Sequence, residues 1–213
     1  MIVGVLGDIH GDFSTVSDIM KANSNIKYWL CTGDVADKNL DYFSPPLQLY
    51  WINGNHEDFE KINQIDRGLL KIPNLFHIPN AKAIKINGIS ILGLGGNYSP
   101  KYYDVERKNL PKGRERHYTK NEVEKCTHIH NIDILITHEA PSPHLKFGKD
   151  VGRKEITRII EKTNPKFHIF CHHHNFGVHE IIKGIKSICL DYPRKSWIKL
   201  NSETYEFDKI ETI

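Results

Sequence analysis

Residues 1–12 read MIVGVLGDIHGD, and the fold turns on how the apolar run Ile2–Leu6 ends. Gly7 and Asp8 break it at once. A run this short and this uniformly apolar reads as a strand covered on both faces, with Asp8 and His10 delivered at its carboxyl end. No basic residue precedes it, so it reads as a first strand and not as a signal peptide. The same design recurs outward along the chain. Lys27–Thr32 ends in Gly33-Asp34, and Leu47–Ile52 ends in Asn53-Gly54-Asn55-His56. Ile132–Thr137 ends in His138, and Phe167–Phe170 runs into Cys171 and the triplet His172–His174.

Between the strands, spacing predicts helices over Phe13–Lys21 and Val151–Lys162, the second stopped before Pro165. Thr119-x-x-Glu122 has the form of a capping box. Asn87-Gly88 and Lys183-Gly184 predict hairpins; Asn-Gly between apolar runs is the strongest short-range signal for one. Alternating strands and helices give an α/β fold. No repeat, low-complexity segment or linker interrupts residues 1–213, which are expected to form a single domain.

The composition is that of an ordinary globular protein, 39% hydrophobic and 26% charged. A chain of 213 residues buries about 70% of its unfolded surface and needs no disulfide or metal to fold. The net charge of +3 gives no global field that demands nucleic acid, so any basic surface is local. No stretch approaches transmembrane length. Cys31, Cys126, Cys171 and Cys189 are scattered without a CxxC pair, as in a reduced, cytoplasmic protein. Neither a membrane nor an obligate protein partner is expected.

Ligands of open α/β sheets collect at the carboxyl ends of the strands. Five strand ends here carry Asp8, His10, Asp34, Asn55, His56, His138 and His172–His174. Carboxylate, amide and imidazole together suit manganese, iron or zinc better than calcium, which prefers oxygen. A structural zinc is closed by four ligands; the surplus here argues for two ions sharing a bridge. Two divalent ions about 4 Å apart can clamp the oxygens of a phosphoester. Two carboxylates and a bridging hydroxide would leave such a centre net positive, and attractive to a phosphate.

Asp8-x-His10, Gly33-Asp34, Gly54-Asn55-His56-Glu57, Thr137-His138 and His172-x-His174, in this order, resemble the signature of calcineurin-like metallophosphoesterases. The resemblance implies two mixed β-sheets packed as a sandwich and flanked by α-helices. It implies one metal held by Asp8, His10, Asp34 and His174, and a second held by Asp34, Asn55, His138 and His172, with Asp34 bridging. Manganese is the first expectation, with iron, zinc, nickel or magnesium as alternatives. His172 and His174 are expected to project to one side of an extended segment, with His173 turned away. His56 stands where the family contacts the phosphate and protonates the leaving oxygen, help worth about 10²- to 10⁴-fold. The nucleophile would be the metal-bridging hydroxide. Cys171 stands where the family has Gly, so Gly is expected to be tolerated there. Asp34 is followed by VADKN and not by the Asp-Arg-Gly triplet of protein phosphatases, which argues against a phosphoprotein substrate.

GNHE, Pro73–Ile78 (PNLFHI), Gly93–Pro100 (GLGGNYSP), the Tyr- and Arg-rich loop after it and ITHEAP resemble RNA lariat debranching enzymes more loosely. Those enzymes carry Cys at the position of His10 and extend further at the C-terminus. Within Asn97–Tyr118, Tyr98, Tyr102, Tyr103, Arg107, Arg114 and Arg116 are candidates for substrate binding: cations for phosphates, rings for base stacking. The function expected is hydrolysis of a phosphodiester in a nucleotide or a single-stranded nucleic acid. A phosphomonoesterase or dinucleoside polyphosphate hydrolase is the alternative, and a non-catalytic scaffold of the same fold is the reading from another class.

Overall fold

The computed structural model describes residues 1–212. Ile213, the last residue of the expected domain, lies outside them. In chain order the elements are β1 (Ile2–Leu6), α1 (Phe13–Ala22), β2 (Tyr28–Cys31), β3 (Gln48–Trp51), α2 (Phe59–Asp66), β4 (Leu75–His77), β5 (Ala83–Ile86) and β6 (Ile89–Leu94). There follow α3 (Lys120–Thr127), β7 (Ile134–Thr137), β8 (Leu145–Lys146), β9 (Lys149–Asp150), α4 (Lys154–Thr163), β10 (Phe167–Phe170), β11 (Gly177–Ile182), β12 (Ile185–Cys189), β13 (Ser196–Asn201) and β14 (Glu206–Glu211).

Two six-stranded mixed sheets form, in the orders β14-β13-β1-β2-β3-β4 and β11-β12-β10-β7-β6-β5. They pack face to face. Val3, Val5, Leu30 and Ile52 of the first sheet meet Ile91, Ile134, Ile136, Ile169 and Ile188 of the second in one buried cluster. Alternation along β1 explains its uniform apolarity: Val3 and Val5 face this core, while Leu6 faces α1 and α2 together with Trp29, Leu49 and Trp51. α3 and α4 cover the second sheet through Val123, Ile156, Ile159 and Ile160. β1, β2 and β3 run parallel, as do β6, β7, β10 and β12. Their carboxyl ends therefore gather along one edge of the sandwich.

Asn87 and Gly88 both take positive φ (46° and 89°), the requirement of the tight hairpin that joins β5 to β6. Thr119 and Glu122 form the expected capping box. α4 begins at Lys154, three residues later than the spacing suggested. The backbone of Val151 and Arg153 is engaged elsewhere, donating to His144 and Ala140 carbonyls at 2.9 Å each. β4, β13 and β14 had no sequence signal strong enough to place them.

Candidate metal centre

The loops after β1, β2, β3, β7 and β10 bring all seven candidate ligands together. Asp8 and His138 are fully buried, and Asp34 nearly so. Gly33 and Gly54 make the approach possible: a Cβ on Gly54 would collide with the Asp34 carboxylate, and one on Gly33 would lie 2.7 Å from His138 Nδ1. The Asp34 carbonyl accepts the His10 N–H at 2.7 Å and the Ile9 N–H at 3.1 Å, while its Oδ1 accepts the His56 N–H at 2.8 Å. Three strand ends are thus tied through one residue.

Around Asp34 the side chains fall into two groups. His10 Nε2 lies 3.5 Å from Asp34 Oδ2, and His174 Nδ1 lies 3.5 Å from Asp8 Oδ2. On the other side His138 Nε2 lies 3.6 Å from Asp34 Oδ2 and 3.1 Å from both Asn55 Oδ1 and His172 Nδ1. The resemblance assigns the first group to one ion and the second group to the other. His138 Nδ1 also approaches Asp8 Oδ1, at 3.6 Å.

The donor chemistry of the site suits a cation. His138 Nδ1 sits 3.0 Å from the Thr32 carbonyl, an acceptor only, so Nδ1 carries the hydrogen. Nε2 of the neutral ring then presents a lone pair to an amide oxygen, an imidazole nitrogen and a carboxylate. Such a meeting of electron-rich atoms is held by a proton or a metal. An imidazole that ligates a metal commonly gives its other N–H to a carbonyl in this way. Asp8 Oδ1 and His174 Nδ1 are buried without a hydrogen-bond partner, a deficit that costs roughly 1–3 kcal/mol for each group unless a cation satisfies it.

Electrostatics agree. Burial would lower the pKa of His138, but Asp34 and Asp8 outweigh it and raise the value. Burial lifts Asp8 to about 7, against the opposing pull of His138. Burial pushes His172 to about 3 and His174 to about 4, leaving neutral imidazoles as ligands need to be.

The triplet is not an extended segment. His172 and His174 adopt left-handed φ values of 62° and 51°, as do His10 and Asp34 at 46° each. They converge through this strained backbone and not through strand alternation; strain of this kind gathers at functional sites. The His172 N–H donates to Asp8 Oδ2 at 3.1 Å. His173 is turned out and stacks on His144, ring centroids 4.7 Å apart. Cys171 has ordinary backbone and is fully buried. Its thiol accepts from the Asp8 N–H at 3.4 Å and donates to the Leu190 carbonyl at 3.1 Å. Burial holds the thiol well above its usual pKa, so it is a weak ligand. The expectation that Gly is tolerated at 171 does not survive this packing.

Glu57 and Asp58 divide two tasks. Glu57 is buried and accepts from Val35 N, Ala36 N and Tyr42 Oη at 2.9, 3.2 and 2.9 Å, clamping the Asp34 loop to the His56 loop. Asp58 caps α2 by accepting from Glu60 N and Lys61 N. Sequence reasoning missed Tyr192 and Arg194. Tyr192 stacks on His174, and Arg194 stacks on Tyr192. A lone Tyr-Pro-Arg in a turn carries no recognisable spacing.

The loop 97–118 is ordered on itself. Tyr98 and Tyr103 pack against the α3–α4 core, and Arg153 covers Tyr98. The Arg107 guanidinium is engaged by Glu122 and by the carbonyls of Glu115 and His117. These three candidates therefore have internal partners. Tyr102 stacks on His117 with Arg114 nearby, and Arg116 is half-buried. Among the described residues, no hydrogen bond or ring contact joins the six to the candidate ligands. A cleft of about 1050 Å³ lies between α2 and residues 107–115. Its lining includes Asn53 and Glu57 but none of the candidate ligands.

The family model described as calcineurin-like phosphoesterase matches residues 1–176. The lariat debranching enzyme A of Xenopus laevis is 22% identical over 284 aligned residues, covering 100% of this chain and 52% of that protein. The lariat debranching enzyme of Arabidopsis thaliana is 22% identical, covering 82% and 54%. The chain thus spans about half the length of these curated relatives. An uncharacterised Haemophilus influenzae protein is 24% identical, with 79% and 81% covered. Among solved structures, a Thermus thermophilus protein superposes with TM-score 0.68 at 12% identity, covering 99% and 98% of the two chains. A dimetal phosphatase from Danio rerio superposes with TM-score 0.58 at 10% identity, covering 100% and 99%. The sandwich is their fold, the motifs stand at its strand ends in order, and the chain belongs to the calcineurin-like phosphoesterase family.

Proposed function

We propose that the chain is a single phosphoesterase domain that hydrolyses phosphodiesters of nucleotides or nucleic acid with two divalent ions, manganese first among the candidates. The observation that carries this is the paired arrangement around Asp34: Asp8, His10 and His174 on one side and Asn55, His138 and His172 on the other share its buried carboxylate, beside polar atoms that have no protein partner. Asp8, His10, Asp34 and His174 would hold one ion and Asp34, Asn55, His138 and His172 the other. When bound, the pair supplies Lewis acidity and an activated water.

The chain's own residues do the rest. Glu57 and Gly54 fix the Asp34 and His56 loops against each other, and burial keeps Asp8, Asp34 and His138 dry while His10, Asn55, His172 and His174 stay partly open. His56 is exposed, its ring 5.7 Å from that of His10, with its backbone anchored on Asp34. In that place it can meet the phosphate and return a proton to the leaving oxygen. The nucleic-acid preference is supported by the lariat debranching relatives. Four unpaired, buried thiols fit a reducing cytoplasm. Among the described residues no helix is long and apolar enough to cross a membrane.

The test is a screen of bis-p-nitrophenyl phosphate, p-nitrophenyl phosphate, a dinucleoside polyphosphate and 2′,5′-linked RNA with added manganese. Diester turnover that a chelator abolishes is the expected result. Turnover confined to the monoester or the polyphosphate would overturn the diester reading, and no turnover with metals bound would favour a scaffold.

A further inference from the structure

The turn between β12 and β13 enters the candidate centre on a side that no motif indicated. Tyr192 lies flat on the His174 imidazole, ring centroids 4.1 Å apart and planes within 10°. It is 5.8 Å from the His10 ring. The turn is braced: Asp191 Oδ1 accepts the Tyr192 N–H at 2.7 Å, and the Tyr192 carbonyl accepts from Lys195 N and Ser196 N at 2.9 and 3.1 Å. Arg194 places its guanidinium carbon 4.4 Å from the Tyr192 centroid.

The Arg194 head group is exposed, and among the described residues it makes no ion pair or hydrogen bond. The nearest acid in the turn, Asp191, pairs with Lys195 Nζ at 3.3 Å instead. An aromatic ring that supports a guanidinium leaves its planar edge of N–H donors free. That edge matches a phosphate in bidentate fashion, with little entropy left to lose. Tyr192 separates Arg194 from His174, so the fork lies one ring further out than the ligands. Arg194 bears on the His10 charge, yet its fork is held on Tyr192 and not among the ligands. His56 and His174 both neighbour His10 but not each other, so His56 and the Tyr192–Arg194 stack flank the centre from different sides.

We propose that Arg194, held by Tyr192, is the subsite for a second, non-scissile phosphate on the retained side of the substrate, away from His56. The proposal rests on the phosphodiesterase reading and narrows it to substrates that carry a phosphate beyond the one cleaved.

Calorimetric binding and steady-state kinetics on a dinucleoside monophosphate, with and without a 5′- or 3′-terminal phosphate, test it. One terminal phosphate should improve binding and KM roughly 10-fold or more in the native protein, as charge-assisted bonds do. Arg194→Ala should erase that preference, and Arg194→Lys should restore part of it, because an ammonium keeps the charge but not the fork. Absence of any preference in the native protein, or a preference undiminished in Arg194→Ala, would overturn the proposal. An equal fall in kcat on all substrates would also overturn it, since Arg194 would then act at the scissile phosphate. If the native protein hydrolyses none of them yet binds the phosphorylated dinucleotide through Arg194, the phosphodiesterase reading fails and the subsite stands.

Discussion

Asp34 does the work of several residues. Its carbonyl and carboxylate anchor the His10 and His56 backbones, and its Oδ2 lies between His10 and His138. An amide there would keep one hydrogen bond but lose the shared charge. Asp34→Asn is therefore expected to lose at least one of two metal equivalents, read by elemental analysis after desalting; two retained equivalents would exclude a bridging role. Cys171 makes a contrasting case. Removing its side chain leaves a void among Asp8, Gly7 and Leu190 and strips the partner of the Asp8 N–H. Cys171→Gly is expected to cost roughly 1–3 kcal/mol in urea unfolding, against the tolerance that resemblance alone suggested. The residue types of the centre were legible because each closes an apolar run. The left-handed backbone at His172 and His174 was not, since nothing in three consecutive histidines announces positive φ. Tyr192 and Arg194 were not either, because their importance exists only once β12 and β13 are paired to other strands.

At the scale of elements, α3 and the loop before it share one carboxylate. Glu122 accepts the Thr119 N–H at 2.8 Å as half of the capping box, and it holds Arg107 through Nε and Nη2. Thr119→Ala is expected to cost about 1 kcal/mol, the usual value of a cap. Glu122→Ala should cost more and also free residues 107–117, seen as faster amide exchange there than in Thr119→Ala. Equal exchange in the two variants would mean that Arg107 does not hold the loop. The sequence shows the cap plainly, because its spacing is local. It shows the Arg107 partner not at all: the Tyr- and Arg-rich loop with the candidate substrate-binding residues is stapled through Arg107 to its own helix. The same limit explains α4, where two of the first three expected residues, Val151 and Arg153, bond across to His144 and Ala140. Asn87-Gly88 succeeded for the converse reason, since both positive φ values are set within two residues.

Across the whole molecule, the sandwich was legible from β1, whose apolar residues must be covered on both faces. The closure of the first sheet by β13 and β14 was not: β14 interleaves Phe207 and Ile210 with exposed Glu206, Asp208, Lys209 and Glu211, and β13 breaks its buried run with Lys199. One buried group reports on the integrity of the fold. His168 crosslinks three strands, 2.8 Å from Thr137 Oγ1 and 3.1 Å from Ser187 Oγ, and burial pushes its pKa down to about 3. The unfolded chain takes up this proton near pH 6.5 and the folded chain does not, so stability falls as pH drops from about 6.5 towards 3. His168→Gln keeps hydrogen-bonding groups without the titration and is expected to lose stability less steeply over pH 6.5–4, by up to about 1.4 kcal/mol per pH unit. Parallel urea-midpoint profiles would contradict that. The account as a whole stands on two cations sharing Asp34. Anomalous diffraction from crystals soaked in manganese tests this directly: two peaks about 4 Å apart should flank the Asp34 carboxylate, one beside His10 and His174 and the other beside Asn55, His138 and His172. A single peak, or a pair that Asp34 does not touch, would contradict it.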